Sequence, residues 1–556
     1  MQNTTPWDYL IVTAANDQQG RSYERQLRQR EHAGQLGSVR RCLVVSDIEG
    51  RRIGSGGSTL HCLAQVLDCE RSGDGVGSFE EAEAILRKLR ILIIHAGGDS
   101  RRLPAYSHCG KMFVPVPDKL SPHVATTLFD RLLPAFLSLP EGRGGQVVIA
   151  SGDALILFDP STVDLTRPGI TALGSRAPAH EAAAHGVFSV REDGLVTRYL
   201  QKPTVEEQLI AGAINDKRES VLDLGVMSCD AAAAVRILRT FFIQSLRPEG
   251  RLVLSWGENA HGILLSHGID LYREICCALG TDTNLFHYAQ GVRAGNACLG
   301  DDLAYEWFHS LHDIPLQVSI LPDCQFLHFG TTRQLITSGL ALLKEDGGEA
   351  TRTSLVLNSD IQASIVGNRA WIEACSVGAP VRLDGFNAVV GVDVSEPLIL
   401  AKGACFDISP GLNRKGDEVW FLRCYGIDDS FKQSADEGGT FCGLPLRQWL
   451  HDMERDASAV WEAEVLSHER TLWNAQVFPA FTEHEEFRDW LWLLDVTSAT
   501  SEQKTRFWAA DRYSSSEIAV RVDQGKFYAR RDALRSRRTP AEIGRTTPVA
   551  TNCTTD

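Results

Sequence analysis

Residues 91–113, ILIIHAGGDSRRLPAYSHCGKMF, set glycines and fixed cations at the end of an apolar run. Ile91–His95 reads as a buried strand, and Ala96-Gly97-Gly98 follows it directly. Two glycines at a strand's carboxyl end let the backbone pass close to a bulky anion and aim its N–H donors at it. Arg101 and Arg102 come next, and Lys111 lies nine residues beyond Arg102. That equipment can hold a triphosphate and stabilise charge developing on it. The competing reading of the same residues is a tight turn whose arginines face solvent.

Four further segments carry chemistry-bearing residues. In VVIASGDALILFD the apolar strand Val147–Ala150 ends in Ser151-Gly152-Asp153. A carboxylate at a strand end is a natural magnesium ligand for a nucleotide, and otherwise a cap for the next turn. In HGVFSVREDGLVTRYLQKP two strand-like runs flank a Glu192-Asp193-Gly194 turn, a hairpin signal. Lys202, pinned by Pro203, is then either a partner for a sugar phosphate or an edge-strand lysine. Asp223 in VLDLGVM offers a second carboxylate, for a metal or for a sugar hydroxyl. The segment IGSGGSTLHCLAQVL reads as a Gly/Ser/Thr loop, with Gly54, Gly56, Gly57 and Ser58, opening an apolar helix. A helix N-terminus behind glycines suits an anion, and a linker turn is the alternative. The segment matches neither GxGxxG nor GxxxxGK[ST], which excludes the dinucleotide fingerprint and the P-loop.

The elements that must position these residues can be read from periodicity. Short apolar runs at Tyr9–Thr13, Cys42–Val45, Leu92–His95 and Val147–Ala150 alternate with helical patterns such as Glu80–Leu89 and Thr126–Leu137. This predicts an α/β fold with a largely parallel, buried sheet, whose ligand crevice lies past the carboxyl ends of the strands. From about Leu316 to Cys424 short β-branched runs are broken by Asn, Gly and Asp, which predicts a solenoid of parallel β-coils; a small antiparallel sandwich is the rival. Seven of the eleven tryptophans fall from Trp420 onward, and RQWLHDMERDASAVWEAEVL predicts an amphipathic helix with the tryptophans as packing core. The expected divisions are 1–312, a β-solenoid-like 313–432, a Trp-rich helical 433–538 and a frayed tail at 539–556.

Bulk properties narrow the function classes. A chain of 556 residues is expected to form about three domains. The net charge of −15 argues against a general grip on nucleic acid, so a phosphate-bearing ligand needs a local positive site. Fourteen cysteines without a CxxC pair or zinc spacing fit reduced thiols. No apolar run approaches the ~20 residues that span a bilayer. With no signal-peptide pattern, a cytoplasmic protein without a membrane role is expected.

HAGGDSRRLPAYSHCGK resembles the signature of the sugar nucleotidyltransferases, roughly GGxGTRLxP followed by a lysine. More closely, the chain resembles the fucose-1-phosphate guanylyltransferase (GDP-fucose pyrophosphorylase) family. The resemblance runs through TAANDQQ, GSGGSTL, HAGGDSRRLP, HGVF…LQKP, DLYREICCALG, FLHFGTT, TLWNAQVFP and RYSSSEI, in that order.

The resemblance implies a Rossmann-like nucleotidyltransferase domain, with Gly97 and Gly98 near the nucleotide and Arg102 on the α-phosphate. It implies Lys111 on the triphosphate, Asp153 on Mg2+, Lys202 facing the sugar phosphate and Asp223 contacting sugar or metal. Gly54, Gly56, Gly57 and Ser58 are carried over only as nucleotide-proximal. Asp99-Ser100-Arg101 departs from the x-Gly-Thr of the general signature and leaves open whether Arg101 or Arg102 is central. The implied reaction joins GTP and β-L-fucose-1-phosphate into GDP-fucose and pyrophosphate. Another sugar-1-phosphate or NTP, and a non-catalytic module serving a separate sugar kinase, are the alternatives. Relatives occur fused to a GHMP-type kinase, whose phosphate loop is not found here, so no kinase activity is expected.

Overall fold

Seven of the eight residues of β1 (Trp7–Ala14) are buried, so this strand must be covered on both faces. It pairs in parallel with β2 (Val39–Ser46) through Leu10↔Cys42 and with β3 (Arg90–His95) through Leu10↔Leu92. β3 in turn pairs in parallel with β4 (Gln146–Ser151). Parallel neighbours need crossovers. Helix α1 (Asp17–His32), capped by the Asn16 side chain, supplies the first, and α2 (Gly54–Glu70) and α3 (Phe79–Leu86) supply the second. The register sets Ala14 beside Ser46 and His95 beside Ser151, so these strands finish along one edge.

This is a computed structural model, and it describes residues 6–98, 100–117, 125–293, 299–346 and 353–537. Asp99 and the expected tail at 539–556 lie outside them. The chain divides into two compact units, one of Met1–Gly98 with Arg131–Phe326, the other of Asp99–Asp130 with Leu327–Asp556.

In the first unit the sheet is mixed, not largely parallel. The Glu219–Cys229 strand runs antiparallel to β4, through Ala150↔Val226, and to the Ile170–Pro178 strand. The Gly186–Val190/Val196–Gln201 hairpin joins it through Val187↔Leu222. Between Ser151 and Glu219 the chain folds back as strands and a hairpin, where a helical crossover would have kept the direction. The Leu316–Ile320 strand closes the far edge beside Ile170–Pro178.

In the second unit short strands stack in three parallel ladders. One runs Leu355–Leu357, Ala370–Glu373, Asn387–Val390 and Ala404–Leu412, with Leu355↔Trp371, Trp371↔Ala388 and Val389↔Phe406. Asp360–Ile361, Ser376–Val377 and Asp393–Val394 form the second; Ile365–Gly367, Val381–Leu383 and Leu398–Leu400 form the third. The coils do not close into a solenoid. From Ala404–Leu412 the first ladder continues antiparallel through Glu418–Gly426, Phe478–Phe481 and Arg512–Tyr513. The expected β-region also begins later than its composition suggests, because Thr332–Glu345 is a helix capped by Thr331.

The expected long helix in RQWLHDMERDASAVWEAEVL stops at Asp452. Glu454 takes a left-handed φ of 58°, and Asp456 caps a separate short turn. Trp449, Trp461, Trp473 and Trp490 are buried, and Trp449 packs edge-on against Phe507. Every cysteine among the described residues is a free thiol. No described helix is long and apolar enough to cross a membrane.

Candidate functional site

In the first unit the chemistry-bearing residues gather past the ends of β3 and β4. The Thr13 hydroxyl accepts from Ala96 N at 3.2 Å, and the Tyr23 hydroxyl donates to Ala96 O at 2.8 Å. Gln19 accepts from Ala15 N at 2.7 Å and donates to Gly98 O at 3.2 Å, tying the glycine turn to the start of α1. Gly97 is exposed, and Gly98 has a φ of 107° with open space where a Cβ would sit. Both are therefore available to an approaching anion. Next to them Thr59 Oγ1 donates to Ser55 O at 2.9 Å and lies 2.9 Å from His95 Nε2. The hydroxyl proton being engaged, the ring carries its own proton on Nε2. Burial pushes the His95 pKa down to about 4, so it is neutral at physiological pH.

Two carboxylates stand on the next strands. Asp153 accepts the Ser151 hydroxyl proton at 2.9 Å, just past the end of β4. Asp223 is buried on Glu219–Cys229, where its Oδ2 accepts from Tyr199 at 2.8 Å and its Oδ1 from Gly225 N at 2.7 Å. Burial raises its pKa to about 6, against these two hydrogen bonds. The Gly225 backbone, at φ +70°, would set a Cβ 3.2 Å from Ser151 Cβ and 3.5 Å from the Tyr272 hydroxyl. The end of β4 and the middle of this antiparallel strand thus meet beside the Tyr199–Tyr272 stack, whose ring centroids are 6.5 Å apart.

Mg2+ takes oxygen ligands and is usually held by one or two carboxylates together with substrate phosphates. Among the described residues no cluster of three or more His, Cys, Asp or Glu forms a cage. Asp153, partly exposed just past the end of β4, fits a metal carried in mainly by phosphates. Asp223, with a donor on each oxygen, fits less directly.

Lys202 is exposed and has a left-handed φ of 53°, uncommon outside glycine. Its N–H donates to His185 O at 2.9 Å, and Thr204 caps the helix that follows Pro203. The backbone is held while the ammonium faces solvent.

Gly54, Gly56, Gly57 and Ser58 do not form a loop. They are the first turns of α2. A Cβ on Gly54 would fall 2.4 Å from Ile269 O, one on Gly56 3.0 Å from the same oxygen, and one on Gly57 2.5 Å from Leu264 Cδ1. Gly57 N already donates to Ile269 O at 2.9 Å, Ser55 Oγ accepts from Leu271 N at 2.9 Å, and Ser58 donates to Asp47 at 2.6 Å. Tight packing explains the glycines, and protein groups occupy donors that an anion would have used.

The second unit holds Arg101, Arg102 and Lys111. Ser100 has a φ of 50° and is buried, and Arg101 lies with its guanidinium carbon 5.7 Å from the centroid of the Trp473 ring. Arg102 is exposed, its Nη2 3.9 Å from the place a Cβ on Gly330 would take. Gly110 at φ 72° turns the chain into the short helix Lys111–Phe113, and Lys111 is partly exposed. Arg102 and Lys111 thus sit at the start and end of a buried stretch, Leu103–Gly110.

Sequence reasoning missed Tyr199, Tyr272 and Gly186. A Cβ on Gly186 would fall 2.1 Å from the Tyr199 hydroxyl, so this glycine is what admits the phenol to Asp223. The only trace in sequence was a glycine where a strand was expected to begin.

A family profile described as Fucose pyrophosphorylase domain matches residues 83–483. The chain is 27% identical to the bifunctional fucokinase/GDP-fucose pyrophosphorylase of Arabidopsis thaliana, over 92% of its own length and 50% of the relative's. It is 24% identical to the L-fucokinase/L-fucose-1-P guanylyltransferase of Bacteroides fragilis, over 88% and 48%. It is 26% identical to the fucose-1-phosphate guanylyltransferase of Homo sapiens, over 85% and 81%. The chain spans about half the length of the two bifunctional relatives. With residues 83–483 accounted for by one profile, the chain belongs to the fucose pyrophosphorylase domain family.

Proposed function

We propose that the protein joins GTP and β-L-fucose-1-phosphate, releasing pyrophosphate and giving GDP-L-fucose. Supporting this reading are the family membership and the names of the human and bacterial relatives. The single structural observation behind it is the Gly97-Gly98 turn at the end of β3, with Gly97 exposed, close in sequence to exposed Arg102, and Asp153 just past the end of the neighbouring β4. In this reading the first unit acts as a Rossmann-like nucleotidyltransferase domain and the stacked coils of the second as a solenoid-like support.

A phosphate oxygen of the sugar phosphate attacks the α-phosphorus of GTP. The new O–P bond forms as the bond to the β-phosphate's bridging oxygen breaks, and pyrophosphate leaves with that electron pair. The nucleophile is already an anion, so positioning and charge neutralisation carry the catalysis. Gly97 and Gly98 bring backbone close to the phosphates. Arg102 neutralises the α-phosphate as charge builds, and Lys111 holds the triphosphate. Lys202 faces the sugar phosphate, and Asp223, through an oxygen aligned by Tyr199, accepts from a sugar hydroxyl. Asp153 would hold Mg2+, which when bound neutralises phosphate charge. A sugar kinase, the second activity in the names of the two bifunctional relatives, would supply the sugar phosphate. The free thiols fit a cytoplasmic setting.

The test is a pyrophosphate-release screen over the four NTPs and a panel of sugar-1-phosphates. GTP with β-L-fucose-1-phosphate is expected to give the highest kcat/KM. Release with a different pair only would reassign the substrate, and no release with any pair would sink the reading.

A further inference from the structure

The stretch from Ser100 to Phe113 carries only two three-residue helical turns, Pro104–Tyr106 and Lys111–Phe113, to stiffen it. Its backbone closes only local turns, with Leu103 N donating to Ser100 O, Tyr106 N to Leu103 O, Gly110 N to Tyr106 O and Phe113 N to Gly110 O. Turns of this kind do not fix a segment over fourteen residues by themselves. Yet Leu103 to Gly110 is buried throughout.

Side chains from far along the chain hold it. The Tyr106 hydroxyl accepts from Trp371 Nε1 at 2.7 Å and donates to Glu373 Oε2 at 3.3 Å. Glu373 is ion-paired with Arg531, and both are almost fully buried. Asn358 Nδ2 donates to the other Glu373 oxygen at 2.8 Å. One residue further on, the Ser107 hydroxyl accepts from Arg423 Nη1 at 3.3 Å and donates to Pro104 O at 2.9 Å. Arg423 is itself paired with buried Asp407 at 2.6 Å. Gln524 donates to His108 O at 2.8 Å, and the His108 ring meets Phe527 edge-on at 4.2 Å.

Removing two ion pairs from water is expensive, and pairs of similar shape are often no better than apolar packing for stability. What such pairs do supply is a fixed geometry. Here that geometry is given to the one stretch that carries Arg101 and Arg102 at one end and Lys111 at the other.

We infer that Tyr106, held by Trp371 and the buried Glu373–Arg531 pair, is a positioning residue for the cations of nucleotidyl transfer, and that orienting them is what the parallel ladder and the helix Gln524–Ser536, which carries Arg531, do for the reaction. This rests on the reading under Proposed function for its kinetic arm only.

Tyr106→Phe keeps the ring and removes the hydroxyl; Tyr513→Phe, a buried tyrosine of the antiparallel strands in the same unit, is the control. Two quantities are measured on the full chain: hydrogen exchange of residues 100–113 without substrate, and steady-state kcat and KM. Tyr106→Phe is expected to speed exchange of 100–113 and to lower kcat by about tenfold or more with KM for both substrates little changed. Tyr513→Phe is expected to move neither. If Tyr106→Phe does not fold, Trp371→Phe removes the N–H partner of the same hydroxyl and is read in the same way. Exchange and kcat matching the control, or faster exchange with unchanged kcat, would overturn the inference. A wild-type protein that releases no pyrophosphate with any substrate pair would sink the functional reading instead, and exchange alone would then decide whether the clamp exists.

Discussion

The Tyr199 hydroxyl lies 2.8 Å from Asp223 Oδ2, and it can do so only because residue 186 is glycine. Burial holds the Asp223 carboxyl at about 6, above its ordinary 3.8.

From that shift follows a pH dependence. Because its pKa is raised on folding, Asp223 binds more protons folded than unfolded between pH 4 and 6, so its contribution favours the fold below that window and is lost as pH rises through it. The difference amounts to about 3 kcal/mol. Asp223→Asn should remove this component. An asparagine can keep both contacts, with its carbonyl toward Gly225 N and its amide toward the phenol oxygen. Urea unfolding of both proteins from pH 4 to 7 measures it, and parallel stability curves would count against a buried ionisable Asp223.

His95 should titrate near 4, not near 6.5, because burial disfavours the imidazolium. Its ring resonance in NMR should therefore stay flat from pH 8 to 6, and His95→Gln should leave the pH profile of kcat unchanged in that range. A ring that titrates near neutrality would contradict the neutral Nε2–H form bonded to Thr59.

Arg102→Ala should lower kcat by roughly 10²-fold, the usual cost of one preorganised charge donor. Arg101→Ala should cost less, because its guanidinium lies over Trp473 while Arg102 is exposed near Gly330. Pre-steady-state turnover of the two variants settles their order, and a larger loss for Arg101→Ala would reverse the assignment. Asp153→Ala should fall with Arg102→Ala and should also weaken the dependence of rate on magnesium concentration.

Gly54→Ala should destabilise the fold by on the order of 3 kcal/mol, combining strain at φ +78° with overlap on the Ile269 carbonyl. If Gly54 instead served the nucleotide, the substitution would raise the KM for GTP and leave the melting temperature alone. Calorimetry and kinetics on one preparation separate the two.

The strands were legible where sheet burial is two-sided. Ile91–His95 and Val147–Ala150 are unbroken apolar runs, and both are strands of that extent or one to two residues longer. The antiparallel course of Glu219–Cys229 was not, since direction depends on whether a helix or a hairpin intervenes and leaves no mark on strand composition. Glycines misled in the Gly54–Thr59 segment because a glycine that admits a ligand and one that admits a neighbouring carbonyl look alike in sequence. Arg101 and Arg102 were legible as cations, while what distinguishes them, Trp473 and Gly330, lies hundreds of residues away.

Tyr106 reaches its partner Glu373 across 267 positions, and His108 reaches Gln524 across 416. On a ribosome the signature stretch is therefore made well before the residues that secure it. Until residues 524–531 have left the exit tunnel, His108 lacks Gln524 and Phe527, and the Glu373 that Tyr106 bonds lacks Arg531. The charge-bearing segment is therefore made long before the side chains that hold it.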